Sequence, residues 1–204
     1  MRFKTINGQT VANVDLDDTM LDWTGKLVRK IEKKYPQIEI IERKSHTIWN
    51  YSSNYPEKYR ERIDEIWHQP GFYRDLELIP GAKEGYKFLI ENNCIVHFVS
   101  TPIVGINRGI CMLEKFECLK NTLGLKAAEL LIPTGDKTLI RADFLIDDNP
   151  VIVGLYNHPT THLTFDRIDC EFNKNIPDDS KINWENFPER FNHLVSKHNS
   201  ILSM

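Results

Sequence analysis

A chain of 204 residues is long enough for one solid hydrophobic core and a small accessory unit. Its formal net charge of −3, with 41% hydrophobic and 27% charged residues, is that of a soluble globular protein and leaves no basic tract for a nucleic-acid backbone. No apolar run approaches the ~18 residues of a membrane span, and the polar stretch Met1 to Thr10 carries no apolar signal core.

Along the chain, Val11 to Val14 is a short apolar run, read as a strand, that drives into Asp15, Asp17 and Asp18. Leu27, Val28, Ile31 and Tyr35 then mark one face of a helix that should end before Pro36. After an aromatic-rich section, Pro56 opens a second helix that turns Tyr59, Ile63, Ile66 and Trp67 inward and stops at Gln69-Pro70-Gly71. Pro80-Gly81 is a turn, followed by a helix through Tyr86, Leu89 and Ile90 and an apolar strand from Cys94 to Val99. A long helix with Ile110, Leu113, Phe116 and Leu123 inward closes at Gly124. Leu130 to Pro133 and Ala142 to Ile146 read as strands, the latter ending on Asp147-Asp148, with further strands expected over 151–156 and 162–165. Phe191, Leu194, Val195, Ile201 and Leu202 suggest a C-terminal helix. The cysteines, Cys94, Cys111, Cys118 and Cys170, form no CxxC pair, so a reducing cytoplasm is the simplest setting.

Apolar strands alternating with helices indicate an α/β fold with a parallel sheet, whose working crevice lies beyond the carboxyl ends of the strands. Asp15, Ser100 and Asp147-Asp148 all fall at such ends. The interval 20–78 carries helices but no convincing core strand, and reads as a helical cap inserted between a core of residues 1–19 and 79–204. So many acids in one crevice call for a hard divalent cation, of which Mg²⁺ suits oxygen ligands best. With Lys137 and the hydroxyls of Ser100 and Thr101 alongside, the set suits a phosphoryl group, whose charge spreads over its oxygens in the transition state. One aspartate can attack phosphorus and a second can move the protons.

Asp15-Leu16-Asp17-Asp18-Thr19, Ser100, Lys137 and Asp147-Asp148 resemble, in order, the four motifs of the haloacid dehalogenase-like phosphatases. Leu21-Asp22-Trp23, Ile48-Trp49, Leu78 to Ala82, Val99 to Ile103, Asp136 to Thr138 and Ala142 to Pro150 are similar to segments of the 5'(3')-deoxyribonucleotidases within that superfamily. The resemblance implies a Rossmann-like three-layer core with a small inserted cap, and a phosphoric monoester hydrolase acting on deoxyribonucleoside monophosphates through an aspartyl-phosphate. It implies Asp15 as nucleophile and Asp17 as general acid/base, with Mg²⁺ held by Asp15, the Asp17 carbonyl and Asp148. Ser100, Thr101 and Lys137 would hold the phosphoryl oxygens, Asp147 would orient Lys137 or a metal-bound water, and Trp23, Ile48, Trp49 and Asn50 would meet the nucleoside. The expected partner is then a small phosphomonoester, with neither polymeric nucleic acid nor membrane, and a second copy of the chain is the protein partner considered. Family members commonly carry Gly where this chain has Asp18, Arg where it has Asn149, and an aromatic residue where it has Ile48.

Plainer readings exist for each motif alone. Asp17-Asp18-Thr19 can cap a helix, Asp147 to Pro150 can be a turn, and Lys137 can be a solvated lysine. Trp23 and Trp49 can be packing residues rather than ligand platforms. Two functional rivals remain: a phosphatase of the same superfamily acting on a sugar phosphate or a 3'-phosphate end, and a non-catalytic phospho-acceptor of the receiver kind. A receiver has little use for an insertion of about 60 residues after its first acids.

Overall fold

The central feature of the structure, a computed structural model describing residues 8–157, 161–191 and 193, is a six-stranded parallel sheet in the order β3-β2-β1-β4-β5-β6. The strands are β1 (Val11–Val14), β2 (Ile95–Ser100), β3 (Leu131–Pro133), β4 (Phe144–Asp147), β5 (Thr161–Phe165) and β6 (Lys181–Ile182). From β1 the chain winds one way to β2 and β3, then returns across β1 to β4 and runs outward to β6. The reversal lies between β1 and β4, which is where a doubly wound sheet opens its crevice. β4 is buried along its whole length and β1 over its last three residues, as the continuous apolar runs require.

Helices α1 (Trp23–Lys34) and α2 (Glu57–Trp67) occupy the interval between β1 and α3 (Ala82–Glu91). Both bury the faces expected of them, Leu27 and Ile31 in α1, Ile63 and Ile66 in α2. Among the described residues this interval contributes no strand to the sheet. Its two ends are stitched together: Leu21 bridges Leu78, Ile79 N–H donates to the Met20 carbonyl at 2.8 Å, and Asp22 N–H to the Glu77 carbonyl at 2.8 Å. Gly81 takes φ +83° at the start of α3, a turn conformation that glycine adopts without steric cost.

Several expectations need correction. Helix α4 (Arg108–Leu123) does not face inward through Ile110 and Leu113, which are exposed, but through Cys111, Glu114, Lys115, Cys118 and Leu119. Aliphatic size misassigned the face, because two charged residues lie on the buried one. Ile90 in α3 is likewise exposed. Residues 151–156 form no strand; the amides of Leu155 and Tyr156 donate instead to the side chains of Asp136 and Thr138, at 2.8 and 3.2 Å. The two-residue β6 had no periodicity to announce it. Of the C-terminal helix, 187–191 is helical with Phe191 buried, while Leu194, Val195, Ile201 and Leu202 lie outside the described residues. All four cysteines are buried and free, and among the described residues no helix is long and apolar enough to cross a membrane.

Between α1 and α2 the chain folds around His46, which is wholly buried. Its Nε2 lies 3.1 Å from the Ile41 carbonyl and its Nδ1 3.2 Å from Nη1 of Arg43. These contacts suit the neutral imidazole with its hydrogen on Nε2, since Arg43 can only donate. Burial, then the Arg43 charge, push its pKa down from 6.5 to about 4. The unfolded chain therefore takes up the proton first, so the contribution of His46 to stability is full above pH 6.5 and fades as pH falls towards about 4. The stability gap between the natural chain and His46→Gln should narrow over that window in urea unfolding; a gap constant with pH would contradict this account.

Candidate active site

Beyond Val14 the ladder ends with the Asp15 amide on the Ile146 carbonyl at 2.9 Å, and the chain coils back on itself. The amides of Met20 and Leu21 both donate to the Leu16 carbonyl, at 2.9 and 2.8 Å. This tight loop buries Leu16 and Met20 and turns Asp15 and Asp17 to one cavity. Next to it, Asp148 N–H donates to Thr19 Oγ1 at 3.1 Å, and Trp184 Nε1 to the Thr19 carbonyl at 2.8 Å, which ties the loop to β4 and to the chain's end.

Two lysines answer these acids. Lys137 Nζ donates to Asp15 Oδ1 at 2.6 Å and to Asp147 Oδ2 at 2.5 Å. Burial pulls its pKa down, but Asp15 and Asp147 outweigh burial and hold it above the ordinary value. The sequence reading missed Lys115. Its Nζ donates to Asp17 Oδ2 at 2.6 Å, to Ser100 Oγ at 2.8 Å and to the Thr101 carbonyl at 3.1 Å, with 2% of the side chain exposed. The signal available was its place in α4: Lys115 follows Cys111 by four and precedes Cys118 and Leu119 by three and four, on one stripe. Beside it, Glu114 accepts the amides of Gly71 and Tyr73 at 2.5 and 3.1 Å, fixing the exit of the helical insertion against the same turn of α4.

Carboxylate oxygens of Asp15, Asp147 and Asp148 lie within 4.8 Å of one another, all three residues buried. Burial and then the neighbouring Asp18, Asp147 and Asp15 raise the Asp148 carboxyl well above its ordinary range. Asp147 is raised to about 6, by burial first and Asp15, against the pull of Lys137. Its two oxygens are already engaged, Oδ2 by Lys137 and Oδ1 by the Asn149 amide at 3.0 Å. The Asp17 carboxyl is also raised, by burial above all and against Lys115, and its Oδ1 is buried with no hydrogen-bond partner. An all-oxygen cluster with more acid than the two lysines neutralise fits a hard divalent cation.

The cavity over these groups has a volume of about 420 Å³, in the range of small-molecule sites. Trp23, Trp49, Tyr51 and Tyr73 supply its aromatic wall and Ser100 and Thr101 its polar floor. Asn50 also lines it, although its Oδ1 is occupied by Ser52 Oγ and by the amide and hydroxyl of Ser53. Ile48, 49% exposed, does not line it.

The family described as "5' nucleotidase, deoxy (Pyrimidine), cytosolic type C protein" matches residues 9–197. The mitochondrial 5'(3')-deoxyribonucleotidase of Mus musculus is 30% identical over 157 residues, covering 74% of this chain and 70% of that protein. The cytosolic-type 5'(3')-deoxyribonucleotidase of Homo sapiens is 26% identical over 157 residues, covering 74% and 77%. The chain belongs to the 5'(3')-deoxyribonucleotidase family. Membership makes it an enzyme of the phosphoric monoester hydrolase class. A haloacid dehalogenase-like family hydrolase from Xanthomonas campestris shares the fold, with TM-score 0.53 at 11% identity over 94% of this chain and 98% of its own.

For a deoxyribonucleotidase-family chain, Asp18 is an odd choice, and its backbone shows why glycine suits the position. Asp18 sits at φ +55°, in the left-handed region. The aspartate makes use of the turn: Oδ1 accepts the Thr24 amide at 2.7 Å and Oδ2 the Thr24 hydroxyl. It thereby serves the open N-terminus of α1, where Asp22 makes no side-chain cap. Replacement by Gly and by Ala removes the same carboxylate but differs in backbone strain. Asp18→Gly should therefore exceed Asp18→Ala in stability by about 1 kcal/mol in denaturant unfolding.

Proposed function

We propose that this chain hydrolyses deoxyribonucleoside monophosphates to nucleoside and phosphate through an aspartyl-phosphate on Asp15. One observation supports the reading: Asp15, Asp17, Ser100 and Lys137, drawn from different strand ends and loops, line one cavity, and Lys115 of α4 reaches Asp17 and Ser100 from behind it. Residues 20–78 act as a cap over that cavity, with Trp23, Trp49, Tyr51 and Tyr73 as the wall for the base and sugar.

In this reading an Asp15 oxygen attacks phosphorus while Lys137 holds Oδ1 and steadies the carboxylate. The P–O bond to the sugar breaks, and Asp17 gives its proton to the departing alkoxide. Burial raises the Asp17 carboxyl, against the pull of Lys115, in the direction that favours holding that proton. Asp17 then takes a proton from the attacking water as the Asp15–phosphate bond is cleaved. Ser100 donates to a phosphoryl oxygen, while Lys115, whose three hydrogens go to Asp17, Ser100 and the Thr101 carbonyl, orients Asp17 through Oδ2 and holds the Ser100 hydroxyl. Asp15, Asp148 and the Asp17 carbonyl are the residues to hold Mg²⁺, which when bound supplies further positive charge to the phosphoryl oxygens. Asp147, saturated by Lys137 and the Asn149 amide, positions the lysine. Four buried free thiols suit a reducing, cytoplasmic setting.

Steady-state kinetics on a panel of deoxy- and ribonucleoside monophosphates, sugar phosphates and 3'-phosphate ends test the substrate class. The deoxynucleotides should lead and chelation of divalent cations should stop turnover; fast sugar-phosphate cleavage with all deoxynucleotides ignored would reject the reading. Asp15→Asn should lower kcat on the order of 10⁴-fold or more. Lys115→Met should cost about 10²-fold to 10³-fold, and near-normal turnover by either variant would refute its assigned role.

A further inference from the structure

Trp49 was expected to meet a nucleoside, yet its indole reaches across 99 residues of chain to the acid cluster. Nε1 donates to Asp148 Oδ2 at 2.8 Å. The ring keeps 38% exposure, so this is not the burial of a core tryptophan. The loop that carries it is built to hold it still. Asn54 Oδ1 accepts the amides of Thr47 and Ile48, and Asn54 Nδ2 donates to the carbonyls of Ile48 and Asn50, all four at 2.8 to 3.2 Å. Arg43 Nη1 donates to the Trp49 carbonyl at 2.8 Å, and its guanidinium lies over the Phe172 ring at 4.8 Å.

The core leaves Asp148 to be oriented from outside. Lys137 is committed to Asp15 and Asp147, and Lys115 to Asp17 and Ser100. Among the described residues, the side chains that reach the Asp148 carboxylate by hydrogen bond or ion pair are Trp49 and Arg43, both from the helical insertion. Arg43 stands at 3.6 Å, beyond hydrogen-bond length, so the indole is the direct link.

We propose that Trp49 is a positioning residue for the divalent-cation site, and that through it the cap and the cation stabilise each other. The indole N–H fixes one Asp148 oxygen, which leaves the other for the cluster shared with Asp15 and Asp147. A partner of this kind on a ligating carboxylate raises metal affinity by holding the ligand in place. By linkage, whatever the cation gains from the indole contact, the closed cap gains from the cation. The inference rests on the reading of Asp148 as a metal ligand.

The test uses the full chain without substrate. Mg²⁺ binding is measured by calorimetry, and amide hydrogen exchange over residues 47–55 is followed with and without Mg²⁺. Trp49→Phe keeps an aromatic ring and removes the donor, while Trp49→His returns a ring N–H in the position equivalent to Nε1. Thermal unfolding confirms that both variants fold. Trp49→Phe should weaken Mg²⁺ binding about tenfold and abolish the slowing of exchange that Mg²⁺ brings to 47–55, and Trp49→His should recover part of both. Equal Mg²⁺ affinity in the natural chain and Trp49→Phe, with unchanged exchange, would overturn the role of Trp49 alone. A folded Trp49→His as weak as Trp49→Phe would overturn it too, placing the effect on ring size. Absence of Mg²⁺ binding by the natural chain would overturn both this inference and the metal-site reading beneath it.

Discussion

Concentrating buried carboxylates at the carboxyl ends of β1 and β4 is the constraint from which the rest of the architecture follows. Asp15, Asp147 and Asp148 are each under a tenth exposed, and ionised acids at that depth require positive charge and donors close by. The parallel sheet cannot provide these from within β1 and β4, whose side chains there are apolar or acidic. They arrive from elsewhere: Lys137 from the turn after β3, Lys115 from α4, and Trp49 and Arg43 from the insertion. The cavity is thus defined by where its counter-charges come from as much as by the acids themselves.

The acids and their strands were legible because the information is local. An apolar run that ends in Asp15, or in Asp147-Asp148, announces both a buried strand and its polar end within a few residues. Partners that meet only in the folded chain were not legible in the same way. Lys115 was passed over because its helix was read by aliphatic bulk, and Leu113 drew the eye although it is 56% exposed. The true inward stripe mixes cysteines, a leucine and the Glu114-Lys115 pair, and a buried ion-paired lysine looks, in sequence, like any solvated one. Trp49 lines the cavity, but nothing in its sequence neighbours indicates a bond to residue 148. Val151 to Tyr156 failed as a strand for a related reason: the amides of Leu155 and Tyr156 are taken by the side chains of Asp136 and Thr138, which come near only in the folded chain.

Adjacent residues in α4 couple the insertion to the chemistry. Glu114 fixes Gly71 and Tyr73 where the insertion re-enters the core, and Lys115 holds Asp17 and Ser100 one residue further on. Lys26 strengthens the same exit by donating to the Phe72 carbonyl and pairing with Asp75. Disorder at the exit would therefore be transmitted to the lysine that orients Asp17. A buried charged pair of this kind is justified by specific positioning more than by net stability, since desolvation consumes much of what each contact returns.

The departures from the family pattern can be understood as one charge problem. Having Asp at 18 and Asn at 149, where members commonly carry Gly and Arg, makes the surroundings of Asp148 more negative on both sides. Burial raises the Asp18 carboxyl, and Arg43 and the Thr24 hydrogen bonds pull it back down. The same guanidinium stands 3.6 Å from Asp148. Arg43 thus faces both acids from the insertion. The cation beside Asp18 and Asp148 comes from residues between α1 and α2, whereas Lys137 and Lys115 are taken up by Asp15, Asp147 and Asp17.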